Sequence, residues 1–477
     1  MSKDNSLSLS LFIYGDEKKC SPNDIEKAGA HILKYAKLLQ GGDLDDDTNV
    51  LEISSMFEPE ALLKYFGSCS ESYIIESDPR RFLNQRKLLE RVSGTEDMEM
   101  SIEKANAEDS NGYWVDIAVP NTLPKIFFEN TSRLLQKHNF EVSRSHLDIV
   151  EDGDNGNICF LRILVVQNNS SESFPIEELQ SLTHELKRTK WLDPVTMDLM
   201  FNRYPLLEKR SGELITAFCS LLHPLMTEKD PFIFSKANIL EIITEPSGMK
   251  YAERIASLFL EKFEPSNPIS SEAFSTKFKD ISSEIQQGIE DKVEKQLLLK
   301  MLDIVDHTLK TNVYLPDRYS LGLRLDPKLM STEENEDEIP YGVFFSHGRR
   351  FNAFHVRFRD IARGGMRLVT PASLEQHALE SSRHYKECYG LAFAQQLKNK
   401  DIPEGGSKAV ILINCDELSE WSKNFVMRKS VKAFTDTLLD LVLDTDETRS
   451  KVVDLLGKKE VLYLGPDEQV RVIKKEL

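Results

Sequence analysis

The residues best suited to chemistry lie in the last third of the sequence. The stretch Gln395 to Lys408 reads QQLKNKDIPEGGSK and sets Lys398, Lys400 and Lys408 around a proline and the pair Gly405-Gly406. Arg363 directly precedes a second pair, Gly364-Gly365, and Asp467 follows Gly-Pro in LGPDE. Two fixed cations suit the two carboxylates of an α-keto or α-amino dicarboxylate, because lysine and arginine supply charge-assisted hydrogen bonds. A further lysine close to them is expected to have its pKa lowered by like-charge repulsion and desolvation, which makes it a base usable near neutral pH. An aspartate beside it can carry a proton to or from the substrate nitrogen. This is the equipment of oxidative deamination. Each lysine taken singly reads as a solvated surface residue; their grouping beside the glycine pairs favours a site.

Several elements must position these groups. FHVRFRDIARGGMRL begins as an alternating strand, with Phe354, Val356 and Phe358 on one face, and is expected to break at Gly364-Gly365. The helical pattern of residues 373–399 delivers Gln395 and Lys398 at its C-terminal end, and DIPEGG reads as the turn after it. SKAVILIN (Ser407 to Asn414) is apolar without alternation, as in a sheet covered on both faces. Another amphipathic helix, SKNFVMRKSVKAFTDTLLDLV, leads to the strand EVLYLGPDEQ. Upstream, LGLRLDP and YGVFFSH read as strands around an acidic loop, Ser331 to Pro340. Strand, helix, strand, helix, strand is an α/β arrangement, and ligands bind at the strand ends of such sheets. Glycines 364, 365, 405 and 406 would let backbone and ligand approach closely.

At these residues the sequence resembles the glutamate dehydrogenases, above all their large NAD-specific class. FRDIARGGMR (Phe358 to Arg367), GLAFAQQLKNKDIPEGGSKAVILIN (Gly390 to Asn414) and LGPDE carry the resemblance. It implies NAD-dependent oxidative deamination of glutamate to 2-oxoglutarate and ammonia. Lys408 then matches the lysine that activates water and stabilises the iminium, and Asp467 the catalytic aspartate. Lys398 matches the lysine on the substrate α-carboxylate, and Gln395 sits where a glutamine contacts substrate. Arg363, with Gly364 and Gly365 behind it, takes the place of the lysine on the side-chain carboxylate. The resemblance also implies a homo-oligomer.

Two departures stand out. Ala409-Val410 follows the lysine where the small enzymes have a second glycine pair. The family's nicotinamide-binding domain follows the aspartate, yet ten residues follow Asp467 here and no G-x-G-x-x-G fingerprint occurs. The expectation is a chain lacking the NAD-binding domain, with weak or no turnover by itself. The alternative is a non-catalytic regulatory subunit that binds glutamate or 2-oxoglutarate, or co-assembles with a full-length enzyme.

The remainder sets the frame. At 477 residues several domains are expected. Residues 1–105 form a mixed region, with an amphipathic helix expected over Ser21 to Gly42. Residues 106–170 read strand, helix, strand, hairpin, strand, which resembles the ACT-type module, although many α+β sandwiches share the pattern. Residues 171–311 read as helices; Phe278, Ile281, Ile285, Ile289, Val293 and Leu297 make one apolar stripe, continued by Met301, Val305 and Leu309. Residues 312–477 form the α/β substrate domain. The fold class is therefore multidomain α+β and α/β. A net charge of −18 argues against nucleic acid or anionic membrane as a partner, and no apolar run is long enough to span a bilayer. Six scattered cysteines without C-x-x-C spacing suggest reduced thiols and no metal site, with Cys388 and Cys415 inert. The N-terminus lacks a recognisable targeting signal, which points to the cytoplasm, with the mitochondrion as the alternative.

Overall fold

The computed structural model describes residues 79–467 except 96, 106–111, 121, 123, 152–156, 168–175, 191, 316–317, 331–337 and 416–419. The expected helix at Ser21 to Gly42 lies outside the described residues. The chain divides into two compact units, Met1–Lys190 and Trp191–Leu477.

In the first unit, helix α1 (Pro79–Val92) precedes β1 (Glu99–Lys104), β2 (Tyr113–Pro120), α2 (Pro124–Lys137), β3 (Phe140–Glu151), β4 (Asn157–Gln167) and α3 (Ile176–Thr189). The strands form one antiparallel sheet in the order β1-β2-β4-β3. The strand–helix–strand–hairpin–strand reading of residues 113–167 agrees with β2 to β4, and β1 adds a strand hidden in the N-terminal region. Val115, Ile117 and Val119 alternate with Trp114, Asp116 and Ala118 along β2, so the two sets face opposite sides. The Asp116 side places a charge inside: its carboxylate takes a 2.6 Å hydrogen bond from Arg162 and a 3.3 Å bond from Gln85 of α1. Burial raises the Asp116 pKa, and Arg162 opposes that.

The second unit begins with helices: α4 (Pro194–Asp198), α5 (Lys209–Met226), α6 (Lys236–Thr244), α7 (Pro246–Lys262), α8 (Ser271–Gly288) and α9 (Lys292–His307). Helix α5 is buried from Leu214 to Pro224, as befits an element surrounded by others. The single apolar stripe expected from Phe278 onward is divided between α8 and α9. Ile289 leaves the helix with extended backbone, and Asp291 starts the next by accepting from the amides of Val293 and Glu294. Leu309, the last residue of that stripe, lies in a strand.

A seven-stranded mixed sheet follows, made of β5 (Thr308–Thr311), β6 (Ser320–Leu325), β7 (Gly342–Gly348), β8 (Phe351–Arg357), β9 (Ile361–Val369), β10 (Gly405–Ile413) and β11 (Val461–Pro466). Its order is β11-β9-β10-β8-β7-β6-β5, with β11, β9 and β10 parallel and the rest antiparallel. Helix α10 (Leu374–Lys398) connects β9 to β10; α11 (Glu420–Val442) and α12 (Asp446–Lys451) connect β10 to β11. One face of the sheet, with Phe354, Val356 and Val410, shares a core with the helices and Cys388 of α10. The other, with Ala409, Ile411 and Ile413, packs on Phe434 and Leu438 of α11. Coverage on both sides explains why β10 reads as an unbroken apolar run. No helix among the described residues is long and apolar enough to cross a membrane.

Two local readings need correction. The strand does not break at Gly364-Gly365: β9 runs through both. Gly405-Gly406 is not a turn but the first two residues of β10, paired with Ala362 and Arg363. Among the described glycines only Gly94 and Gly457 have positive φ, so these four glycines are needed for space and not for a left-handed backbone.

Candidate active site

Three adjacent parallel strands bring the site together. Lys408 on β10 lies opposite Gly365 on β9, which lies opposite Gly465 on β11. Just beyond β11 the amide of Asp467 bonds the carbonyl of Met366 at 3.1 Å, which keeps Asp467 beside β9. The Asp467 carboxylate then reaches across Gly365 and forms an ion pair with Lys408 Nζ. Gly365 makes this crossing feasible, because a Cβ there would stand 2.8 Å from Asp467 Oδ2. The lysine side chain is 13% exposed and the aspartate 40%, so the pair is sheltered on one side and open on the other.

The charge next to Lys408 is therefore acidic, not the second lysine expected from the sequence. Lys398, the last residue of α10, is exposed and makes no hydrogen bond or ion pair with the described residues. Arg363 lies two residues before Gly365 and so shares its side of β9. Its guanidinium forms an exposed two-point ion pair with Glu404, including a 3.0 Å bond to Oε1. That contact raises the arginine pKa and lowers the glutamate's. Arg367, two residues after Gly365, bonds Glu387 of α10 at 2.9 Å. Glu404, Arg367 and Glu387 were not singled out from the sequence. Glu404 could have been, since it adjoins the glycine pair.

The end of α10 is fixed to the start of β10 by side-chain amides. Gln396 Oε1 accepts from the Gly406 amide at 2.7 Å, and Asn399 Nδ2 donates to the Gly405 carbonyl at 3.0 Å. Gln395 donates to Asn399 Oδ1 at 2.9 Å. A Cβ on Gly406 would collide with the backbone of Ala392 and Gln396, and one on Gly364 with the Ser407 carbonyl. Close packing thus accounts for those two glycines. Deeper in, Cys388 Sγ donates to the carbonyls of Lys408 and Phe354, and His384 Nε2 contacts the Val410 carbonyl at 3.0 Å. Burial raises the pKa of the fully buried Cys388 thiol, which keeps it inert.

Chemically, the site offers a sheltered ammonium–carboxylate pair that can hold or exchange one proton, next to a face carrying Arg363 and Arg367. A dinucleotide site is a different matter. The β9–α10 connection, Thr370 to Ser373, contains no glycine, and a pyrophosphate needs a close backbone approach at such a turn. That connection therefore does not fit the pyrophosphate of a dinucleotide. Among them no group of His, Cys, Asp and Glu is arranged to hold a metal ion.

Residues 280–472 match the family described as bacterial NAD-glutamate dehydrogenase, catalytic domain. The NAD-specific glutamate dehydrogenase of Saccharomyces cerevisiae is 41% identical over 211 residues, which is 44% of this chain and 18% of the yeast protein. Glutamate dehydrogenase 2 of Dictyostelium discoideum is 36% identical over 254 residues, 52% of this chain and 23% of that protein. The NAD-specific glutamate dehydrogenase of Neurospora crassa is 36% identical over 190 residues, 39% of this chain and 17% of that protein. The chain thus matches between 17% and 23% of the length of these relatives. It resembles the large NAD-specific glutamate dehydrogenases, and the candidate site lies wholly inside the matched region.

Proposed function

We propose that this chain carries the glutamate-binding and proton-handling part of an NAD-specific glutamate dehydrogenase, an oxidoreductase of amino acid catabolism. The observation that carries the reading is the Lys408–Asp467 ion pair across Gly365, inside the segment that matches the catalytic-domain family. Lys408 and Asp467 are the catalytic pair: the ammonium stabilises negative charge on the carbonyl oxygen, and the carboxylate exchanges a proton with the substrate nitrogen. Lys398 binds the α-carboxylate and Arg363 the side-chain carboxylate, beside Gly364, Gly365 and Gln395. In the structure Arg363 is engaged by Glu404, so a dicarboxylate must displace that glutamate to bind. NAD is the partner suggested by the names of the relatives, and a homo-oligomer remains the expected assembly. The sheet order of residues 99–167, which agrees with an ACT-like module, supports a regulatory role for the first unit.

Calorimetric titration of the 477-residue chain with 2-oxoglutarate tests the reading. Saturable binding is expected, weakened about tenfold or more by Lys398→Ala or Arg363→Ala, since each removes a charge-assisted bond. Glu404→Gln should tighten it. Absence of binding, or binding indifferent to both cation substitutions, would sink the assignment.

A further inference from the structure

Strand β11 places one more side chain on the site's side of the sheet. In the parallel register Tyr463 lies directly opposite Arg363, just as Gly465 lies opposite Gly365. Residues opposite each other in a sheet share a face, and so do residues two apart along a strand. Tyr463 therefore belongs to the face of Arg363, Gly365 and Lys408, whereas Leu462 and Leu464 pack into the core shared with α11.

The ring leans along the strand toward the reacting groups. A Cβ on Gly465 would stand 3.8 Å from Tyr463 Cε1 and 3.8 Å from the Gly364 carbonyl oxygen, ordinary contact distances that leave room above Gly465. The tyrosine thus borders the space beside the place where Asp467 crosses Gly365 to reach Lys408. Tyr463 is 65% exposed, and its hydroxyl has no hydrogen-bond partner among the described residues. Glu404 is the main cause of the raised Arg363 pKa, and Tyr463 lies near enough to add to it.

The donor count shows what such a hydroxyl can add. An ionised carboxylate has two oxygens and about four acceptor sites. Arg363 meets Glu404 with two nitrogens, Nε on one oxygen and Nη2 on the other. A substrate carboxylate that replaces Glu404 takes over those two donors and still has acceptor sites to fill. The phenolic O–H opposite Arg363 is a donor that brings no further charge to the site, and its ring offers an apolar flank to the methylenes of the substrate.

We propose that Tyr463 is a specificity-determining residue of the candidate active site, its hydroxyl donating beside Arg363 to the distal carboxylate of a five-carbon dicarboxylate. The role rests on the functional reading given above. Calorimetric titration of the 477-residue chain compares wild type with Tyr463→Phe, which keeps the ring and removes the hydroxyl. Binding of 2-oxoglutarate should weaken about tenfold, the loss of one hydrogen bond to a charged group. 2-Oxopentanoate has five carbons and no distal carboxylate, so it should not distinguish the two proteins. Thermal unfolding without ligand should also be the same for both, since the hydroxyl has no partner among the described residues to lose. If wild type does not bind 2-oxoglutarate, the functional reading falls and the role of Tyr463 with it. If wild type binds, and Lys398→Ala weakens binding while Tyr463→Phe does not, the reading stands and only the role of Tyr463 falls. An equal loss for both keto acids, or a lower melting temperature without ligand, would make the tyrosine structural and overturn the proposal.

Discussion

The two ends of β11 each carry a carboxylate, and the two are treated in opposite ways. Before the strand, the Glu460 side chain is wholly buried between Arg324 and Arg357, themselves 1% and 0% exposed. Arg324 Nη2 lies 2.9 Å from the carboxylate, and Arg324 also bonds the carbonyl of Tyr341 at 3.2 Å. The guanidiniums stack on Phe344 and Tyr341. No solvent reaches the group and nothing could enter. After the strand, Asp467 pairs with Lys408 while two-fifths of its side chain stays open. Exposure separates the two: one carboxylate is sealed between two arginines and the other is open to solvent.

Acidification should expose the buried end most strongly. His355, beside Arg357 and Arg324, is fully buried with neither ring nitrogen bonded, and burial plus the two arginines lowers its pKa to about 3. His384 and His223 are lowered to about 4, chiefly by burial. A histidine depressed in the folded state is protonated first in the unfolded chain. Stability is thus complete above pH 6.5 and falls as pH drops from 6.5 toward 4, by up to about 1.4 kcal/mol per pH unit for each histidine. Asp440, raised to about 6 mainly by burial, opposes part of this, since its proton favours the folded state between its ordinary value and 6. A urea midpoint unchanged between pH 7 and 4 would contradict the description of these side chains as buried and neutral.

Next in size, Glu460→Gln leaves two buried arginines without their counter-charge and should cost about 3–5 kcal/mol in denaturant unfolding. Lys408→Met, at the open end, should change stability by less than about 1 kcal/mol while removing glutamate turnover wherever turnover is measured. Equal losses of stability would erase the distinction between the two ends. The smallest contrast is between neighbouring glycines. Gly364→Ala forces a methyl into the Ser407 carbonyl and should cost about 1–3 kcal/mol. Gly365→Ala presses only on the Asp467 side chain, which can move, so it should disturb stability less and the Lys408–Asp467 pair more. Thermal unfolding of both variants, with 2-oxoglutarate titration, separates them.

Lys408 and Asp467 were legible because short motifs carry them and the strands between are strongly apolar. Their partners were harder to see. Glu404 pairs with a residue 41 positions away, and Glu460 with residues 103 and 136 positions away, separations that no local pattern encodes. The glycine pairs were misread because glycine ordinarily punctuates strands, whereas here it admits a neighbouring backbone or carboxylate into the middle of a sheet. The helical stripe across residues 278–309 was continuous in periodicity, and only the capping geometry of Asp291 reveals the break.

Strand β11 also bears on how the molecule is assembled. Fifty-nine residues separate Asp467 from Lys408, and the intervening chain passes through α11 and α12 before docking β11 beside β9. Closing so long a loop costs chain entropy that the contacts of β11 must offset. Before it happens, Arg324 and Arg357 lack their glutamate and Lys408 lacks its aspartate. One docking event therefore brings Glu460 to its two buried arginines and Asp467 to Lys408, and before it neither ion pair exists.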